Sequence, residues 1–333
     1  MKSRSWISLI GVSALFVSPL AILFVRPAAA AGPESSHFPN VALITQDGKT
    51  VHFYDDLIKG KIVVINLIYT TCHFSCPLET ARLIQVQKKL GDRVGKDIFF
   101  YSISIDPEHD TPEVLKDYME KFHVGPGWTF LTGKKADIIF LGRRLGIYTD
   151  AAINSDGHLP YLLLGNDATG QWMRGSAMEN PDFQARMVGD FLDSSSHSHP
   201  AQQASAGGSD GSAIANFDAG KYMFGKDCAA CHTIGHGDSL GPDLVGVTHL
   251  RTQTWLLRMI QTPDEVLDGN DPVATALLKK YNNLRMPNVR MGDADAAAIL
   301  GYLEAQDAEH DKQALAGKAT DVKKAPATEA SHQ

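Results

Sequence analysis

Residues 228–232 read Cys228-Ala229-Ala230-Cys231-His232, and no other stretch constrains this chain so tightly. Two thiols three positions apart, with an imidazole directly after the second, form the attachment pattern of a c-type haem. The thiols add to the haem vinyl groups, and the adjacent imidazole is then held against the iron. Gly220, Tyr222 and Phe224 precede the motif as a helix start, and Gly241-Pro242-Asp243-Leu244 follows it. Neither flank suits a zinc or redox C-x-x-C.

The run from Gly220 to Leu244 resembles a class I cytochrome c domain. Residues 217–308 are therefore expected to form a small all-α domain with one covalent haem c. Cys228 and Cys231 would hold the group, and His232 would be the proximal ligand. In this class the distal ligand is usually a methionine from a loop before the last helix. Met286-Pro287-Asn288 stands in that place, ahead of Asp293 as a cap and a helix over 297–303. Met291 is the alternative. Met259 lies in the amphipathic run Trp255 to Ile260 and reads as core. Phe224 and Tyr302 are expected to pack the first and last helices together. Met/His ligation raises a haem potential and favours electron transfer over oxygen chemistry.

The cysteine count sharpens the rest. The chain has four cysteines, and a haem takes two of them. Cys72 and Cys76 remain, in Thr71-Cys72-His73-Phe74-Ser75-Cys76-Pro77. They must be reduced, bonded to each other or bound to a metal. The apolar, β-branched run Ile62 to Tyr69 reads as a strand buried on both faces. Pro77 then opens a helix to about Leu90, at a position where proline is tolerated. A thiol pair at a helix start is biased towards thiolate, which is both a nucleophile and a soft-metal ligand.

Around this loop the chain resembles the Sco/SenC family, over residues 38–193. The resemblance rests on Val63-Val64-Ile65-Asn66-Leu67, on Cys72-x-x-x-Cys76-Pro77, and on Asp106-Pro107-Glu108-His109-Asp110-Thr111-Pro112. It implies a thioredoxin-like α/β fold, copper binding, and a part in assembling the binuclear copper centre of cytochrome oxidase. Some members act instead as thiol-disulfide reductants. The family's third copper ligand is a loop histidine before a late strand, a place matched here by His158. Its neighbours Gly157 and Pro160 depart from the family pattern. His73 is left out of the ligand set, and Asp106 is read as supporting rather than ligating.

Strands alternate with helices through this part: a hairpin over 41–53, Ile98 to Ile105, a helix from Thr111, a segment at Phe130-Leu131, a helix over 136–145, Tyr161 to Leu164, Trp172 and a closing helix over 181–192. That alternation predicts a mixed sheet covered on both faces. Residues 194–216 are rich in Ser, Ala, Gly and Gln and read as a flexible linker. Residues 309–333 are polar and rich in Lys and Ala, and read as a disordered tail.

At 333 residues and a net charge of −7 the chain has room for two cores, and no basic excess that would suit nucleic acid. Lys2 and Arg4 precede an apolar run from Trp6 to Val25 and then Ala28 to Ala31. Residues 1–31 are thus expected to be a cleaved signal peptide or a retained membrane anchor, with the remainder on the periplasmic side.

The leading expectation is a copper-binding metallochaperone and redox protein whose haem transfers electrons. Its partners would be a copper-centre subunit of cytochrome oxidase or other exported redox proteins. The alternative is a thiol-disulfide oxidoreductase in which Cys72 and Cys76 cycle with the haem as electron donor or acceptor.

Overall fold

Strand β3 (Ile62–Ile68) is buried at every position. A strand with so little polar content is stable only where both faces are covered. Strand β4 (Ile98–Ser104) pairs with it in parallel, from Ile62 opposite Ile98 to Ile68 opposite Ser104. On its other side lies β6 (Tyr161–Asn166), antiparallel, with Ile62 opposite Asn166. The structure is a computed structural model and describes residues 38–148, 159–193 and 218–324.

The sheet is completed by the hairpin of β1 (Ala42–Thr45) and β2 (Thr50–His52), by β5 (Trp128–Gly133) and by β7 (Gln171–Ser176). Its order is β2-β1-β5-β4-β3-β6-β7. The hairpin turn needs Gly48, whose φ of 74° lies in the left-handed region. Phe130 and Leu131, read from sequence as a short strand or loop, sit fully buried inside β5.

Helices cover both faces. Helices α1 (Ser75–Leu90), α2 (Pro112–Phe122) and α4 (Pro181–Arg186) lie on one side, where Leu83, Leu115 and Phe122 meet Val64, Phe100 and Phe130. Helix α3 (Lys135–Leu145) lies on the other, where Ile138 and Leu141 meet Val63, Ile65 and Ile103. Each such fully buried side chain contributes about 1.5–3 kcal/mol through lost apolar exposure. Thr111 caps α2 as expected, its hydroxyl accepting from the Val114 N–H at 3.4 Å. Helix α1 starts at Ser75, ahead of Pro77, so Cys76 lies inside its first turn.

The C-terminal half contains α5 (Ala219–Met223), a continuing turn Phe224–Cys228, then α6 (Val247–Leu250), α7 (Gln253–Gln261), α8 (Pro263–Asp268), α9 (Pro272–Lys280) and α10 (Asp293–Lys324). The first and last helices cross at Gly220, where a Cβ would stand 2.1 Å from the Ala298 carbonyl oxygen. Phe224 and Tyr302 meet beside this crossing at 5.5 Å between ring centroids, as the sequence predicts. Asp307, buried, accepts from the Gly246 N–H at 2.6 Å and the Thr248 N–H at 3.0 Å, tying the last helix to the loop after the haem motif.

One boundary moves. The tail read as disordered from residue 309 continues α10 to Lys324. An established helix adds each further residue at little cost, and Ala, Gln and Lys are strong helix formers. The linker over 194–216 lies outside the described residues, as do residues 1–31.

Candidate functional sites: a haem cavity and a thiol loop

The C-terminal helices form most of the wall of a cavity of about 250 Å³. Cys228, Cys231, His232 and Met286 all line it, among apolar side chains that include Leu244, Trp255, Leu256 and Ile299. His232 lines the cavity with a fixed tautomer: its Nδ1 lies 2.9 Å from the Pro242 carbonyl oxygen, which leaves Nε2 without a proton and able to ligate a metal. Burial lowers the His232 pKa, which favours the neutral, ligating imidazole. Gly241 is required beside it, because a Cβ there would stand 2.7 Å from the imidazole Cε1. Burial pushes the Cys228 and Cys231 thiols up to about 12, so both are held as neutral thiols in this apolar wall. Met291 does not line the cavity; it packs against Phe224, Ile299 and Leu303. Met259 does reach the cavity wall and also packs against Val266 and Leu267. The donor set and the apolar walls fit a haem, whose chemistry is one-electron transfer.

The loop carrying Cys72 and Cys76 leaves β3 and enters α1. Cys72 is 4% exposed and Cys76 is fully buried, and neither is in a disulfide. Their environments split them. The hydrogen bond from Cys76 lowers the Cys72 pKa to about 5 against the opposing effect of burial, with help from the backbone N–H groups of Cys76 and Phe74. Burial raises Cys76, and the neighbouring Cys72 raises it further. The helix-start argument anticipated a lowering for both thiols; only the one outside the helix shows it.

Asp110 holds this loop, a role the sequence reading did not assign. Its fully buried carboxyl group accepts from the Thr70 N–H at 3.1 Å, the Thr70 hydroxyl at 2.5 Å and the Ser104 hydroxyl at 2.5 Å. Asp106, read as supporting, lies at the surface end of the same motif, 2.8 Å from His109 Nδ1. The signal for Asp110 was present in Asp106-Pro107-Glu108-His109-Asp110-Thr111-Pro112, but pattern alone does not say which carboxylate turns inward. His158, the third predicted copper ligand, lies outside the described residues. Among the described residues no cluster of three or more His, Cys, Asp or Glu is placed to hold a metal ion.

The SCO1/SenC family model matches residues 29–161, and the cytochrome c model matches residues 217–307. A SCO2-like protein from Rickettsia felis is 30% identical over 179 residues, which cover 50% of this chain and 83% of that protein. The chain belongs to the SCO1/SenC family. Its mixed sheet and C-terminal helices are the thioredoxin-like and cytochrome c folds that the sequence resemblances imply. A SCO1 protein homolog from Bacillus subtilis is 37% identical over 89 residues, 26% of this chain and 45% of that protein; the chain thus spans under half the length of this relative. Among solved structures, a SCO1/SenC family lipoprotein from Bacillus anthracis is 28% identical, with a TM-score of 0.41, covering 47% of this chain and 94% of that one.

Proposed function

We propose that this Sco/SenC-family chain is an exported, periplasmic-side protein that carries copper as cargo on Cys72, Cys76 and His158 and one covalent haem c on Cys228, Cys231, His232 and Met286. The copper would serve assembly of a cytochrome oxidase copper centre, and the haem would move electrons. The observation that carries the reading is one chain holding two buried redox-competent sites: an electronically asymmetric thiol pair in a Sco-type loop, and an apolar cavity with thiol, imidazole and thioether donors at its walls. Thiolate and imidazole ligands suit copper by softness. In the haem site, Cys228 and Cys231 anchor, Pro242 orients His232, and the apolar walls exclude water. In the cargo site, Asp110 fixes the loop that presents Cys72.

The test is a paired assay of the exported protein. A pyridine haemochrome spectrum reports covalent haem, and a Cu(I) competition titration reports cargo. One haem and one copper per chain are expected. Haem without copper would move the reading to thiol-disulfide exchange, and absence of both would end it.

The thiol-disulfide reading has one specific support. Cys72 is biased towards thiolate while Cys76 stays protonated, the division of labour of an attacking and a resolving thiol. Rapid, reversible oxidation of the pair with no copper affinity would favour it.

A further inference from the structure

The thiol loop and the haem cavity share a wall. Pro77, the residue after Cys76, lines the haem cavity together with Phe122 of α2. From the opposite side Ala230, Cys231, Leu240 and Leu284 pack against the core cluster that contains Cys72 and Cys76. Polar bonds cross the same boundary. The Asn288 N–H donates to the His73 carbonyl oxygen at 2.8 Å. Gln85 Nε2 donates to the Ala229 carbonyl oxygen at 3.2 Å. Arg82 Nη2 donates to the Lys226 carbonyl oxygen. The Arg290 guanidinium lies 4.6 Å from the centroid of the Phe74 ring.

Two of these contacts separate a built face from a chance one. Arg82 is only 3% exposed. A guanidinium that deep depends on the carbonyls that receive its Nη groups, all the more because its buried Nε has no hydrogen-bond partner among the described residues. Its Nη1 is received by Met178 and Glu179 of its own half, and its Nη2 by Lys226 of the haem-binding half. Without that half in place, Nη2 loses its partner. Asn288 is fixed on three sides: its Nδ2 donates to Asp264 Oδ1 at 2.7 Å, its Oδ1 accepts from the Arg290 N–H at 2.8 Å, and its own N–H reaches His73. The loop that carries Met286 is therefore held in the shape that meets the thiol loop.

We propose that the haem-binding half is the docked redox partner of this chain's own cysteine loop, with Arg82, Gln85 and Asn288 as the residues that position it there. The inference rests on the haem and copper reading above and deepens it. One connection runs from Cys72 to the His73 carbonyl, across one hydrogen bond to Asn288, and through Pro287 to Met286. With copper held by the cysteine loop and haem by Cys228, Cys231, His232 and Met286, a single electron would cross this face without a proton, Cu(I)/Cu(II) exchanging against Fe(III)/Fe(II). A dithiol matches the haem less well, since disulfide formation from a thiolate and a thiol releases two electrons and a proton and one haem takes one electron.

The test uses the full-length haem protein, copper-free, by hydrogen–deuterium exchange. Slow exchange is expected for segments 72–78 and 284–290 together. Arg82→Met should speed exchange in both segments by about tenfold or more, the loss expected when interfacial hydrogen bonds open. Arg82 also bonds within its own half, so Gln85→Glu is the second variant: a carboxylate facing the Ala229 carbonyl repels the haem half while leaving the strands and helices of its own half unchanged. Exchange in the two segments that is already fast in the parent, or that neither variant alters, overturns the docked face. A second readout uses copper-loaded protein with the haem flash-reduced. Slower electron exchange in Gln85→Glu supports the relay, and an unchanged rate overturns it. Haem and copper contents of each sample are measured separately, so failure of the cofactor reading is seen as missing haem or copper and not as missing protection.

Discussion

Asp110 and Thr70 are joined twice, through the Thr70 backbone N–H at 3.1 Å and its hydroxyl at 2.5 Å. The bonds connect the motif after β4 to the residue two positions before Cys72. They set where the thiol loop begins, and Asp110 is buried enough that nothing from solvent can replace it. Asp110→Asn keeps the shape but turns one acceptor into a donor facing other donors. It should cost about 1–3 kcal/mol in denaturant unfolding, the penalty for buried polar groups left unmatched. Copper affinity should fall with it. Full stability in Asp110→Asn would show that the loop is held by other contacts.

Cu(I) competition should distinguish the three cargo ligands. Cys72→Ser or Cys76→Ser should abolish high-affinity binding, because a hydroxyl is a hard donor and a poor match for Cu(I). His158→Ala should weaken it by at least about tenfold, the lower range seen even for loss of outer partners in metal sites. Unchanged affinity in His158→Ala would remove that residue from the site.

Met286, and not Met291, should ligate the iron. The two differ in placement: one lines the cavity and the other packs against Phe224 and Ile299. Met286→Ala should erase the weak far-red band of sulfur-to-iron ligation and lower the haem potential by on the order of a tenth of a volt or more. Met291→Ala should leave both nearly intact. The reverse pattern would reassign the ligand.

Gly241→Ala should cripple haem attachment while sparing the sheet half. An added Cβ meets His232 Cε1 at 2.7 Å, and the contact is with the ring itself rather than the end of a flexible chain. The measurement is haem per chain against copper per chain in the same preparation. Normal haem content would mean that the loop moves to admit the methyl group.

Acid should loosen the haem loop through Asp243. Burial raises its pKa, but the N–H groups of Val245, Gly235 and Gly237 outweigh that and hold it below the ordinary 3.8. A lowered folded-state value means that the stabilisation is complete above the ordinary carboxylate range and lost as pH falls through the lowered value. Amide exchange at Gly235 and Gly237 should therefore rise below about pH 4. Asp243→Asn should lack this acid step and show faster exchange already at neutral pH. An acid step of equal size in Asp243→Asn would place its origin in another group.

The sequence by itself determined the local elements and pointed to the chemistry proposed for each site. Unbroken apolar runs identified β3, β4 and β6, Thr111-Pro112 placed a helix start, and Cys228 to His232 gave the haem-attachment pattern, because these signals come from residues close in the chain. It did not show which of Asp106 and Asp110 turns inward, since both occupy one turn and only the packing of Thr70 and Ser104 decides between them. Nor could it show that α10 runs past residue 308, because helix propagation there continues a packed nucleus and not a local pattern. The contact between the two halves was least legible. Arg82, Gln85 and Asn288 are ordinary polar residues in sequence. They become a docking face only when residues more than a hundred positions apart bring their donors to backbone carbonyls, which carry no side-chain signature.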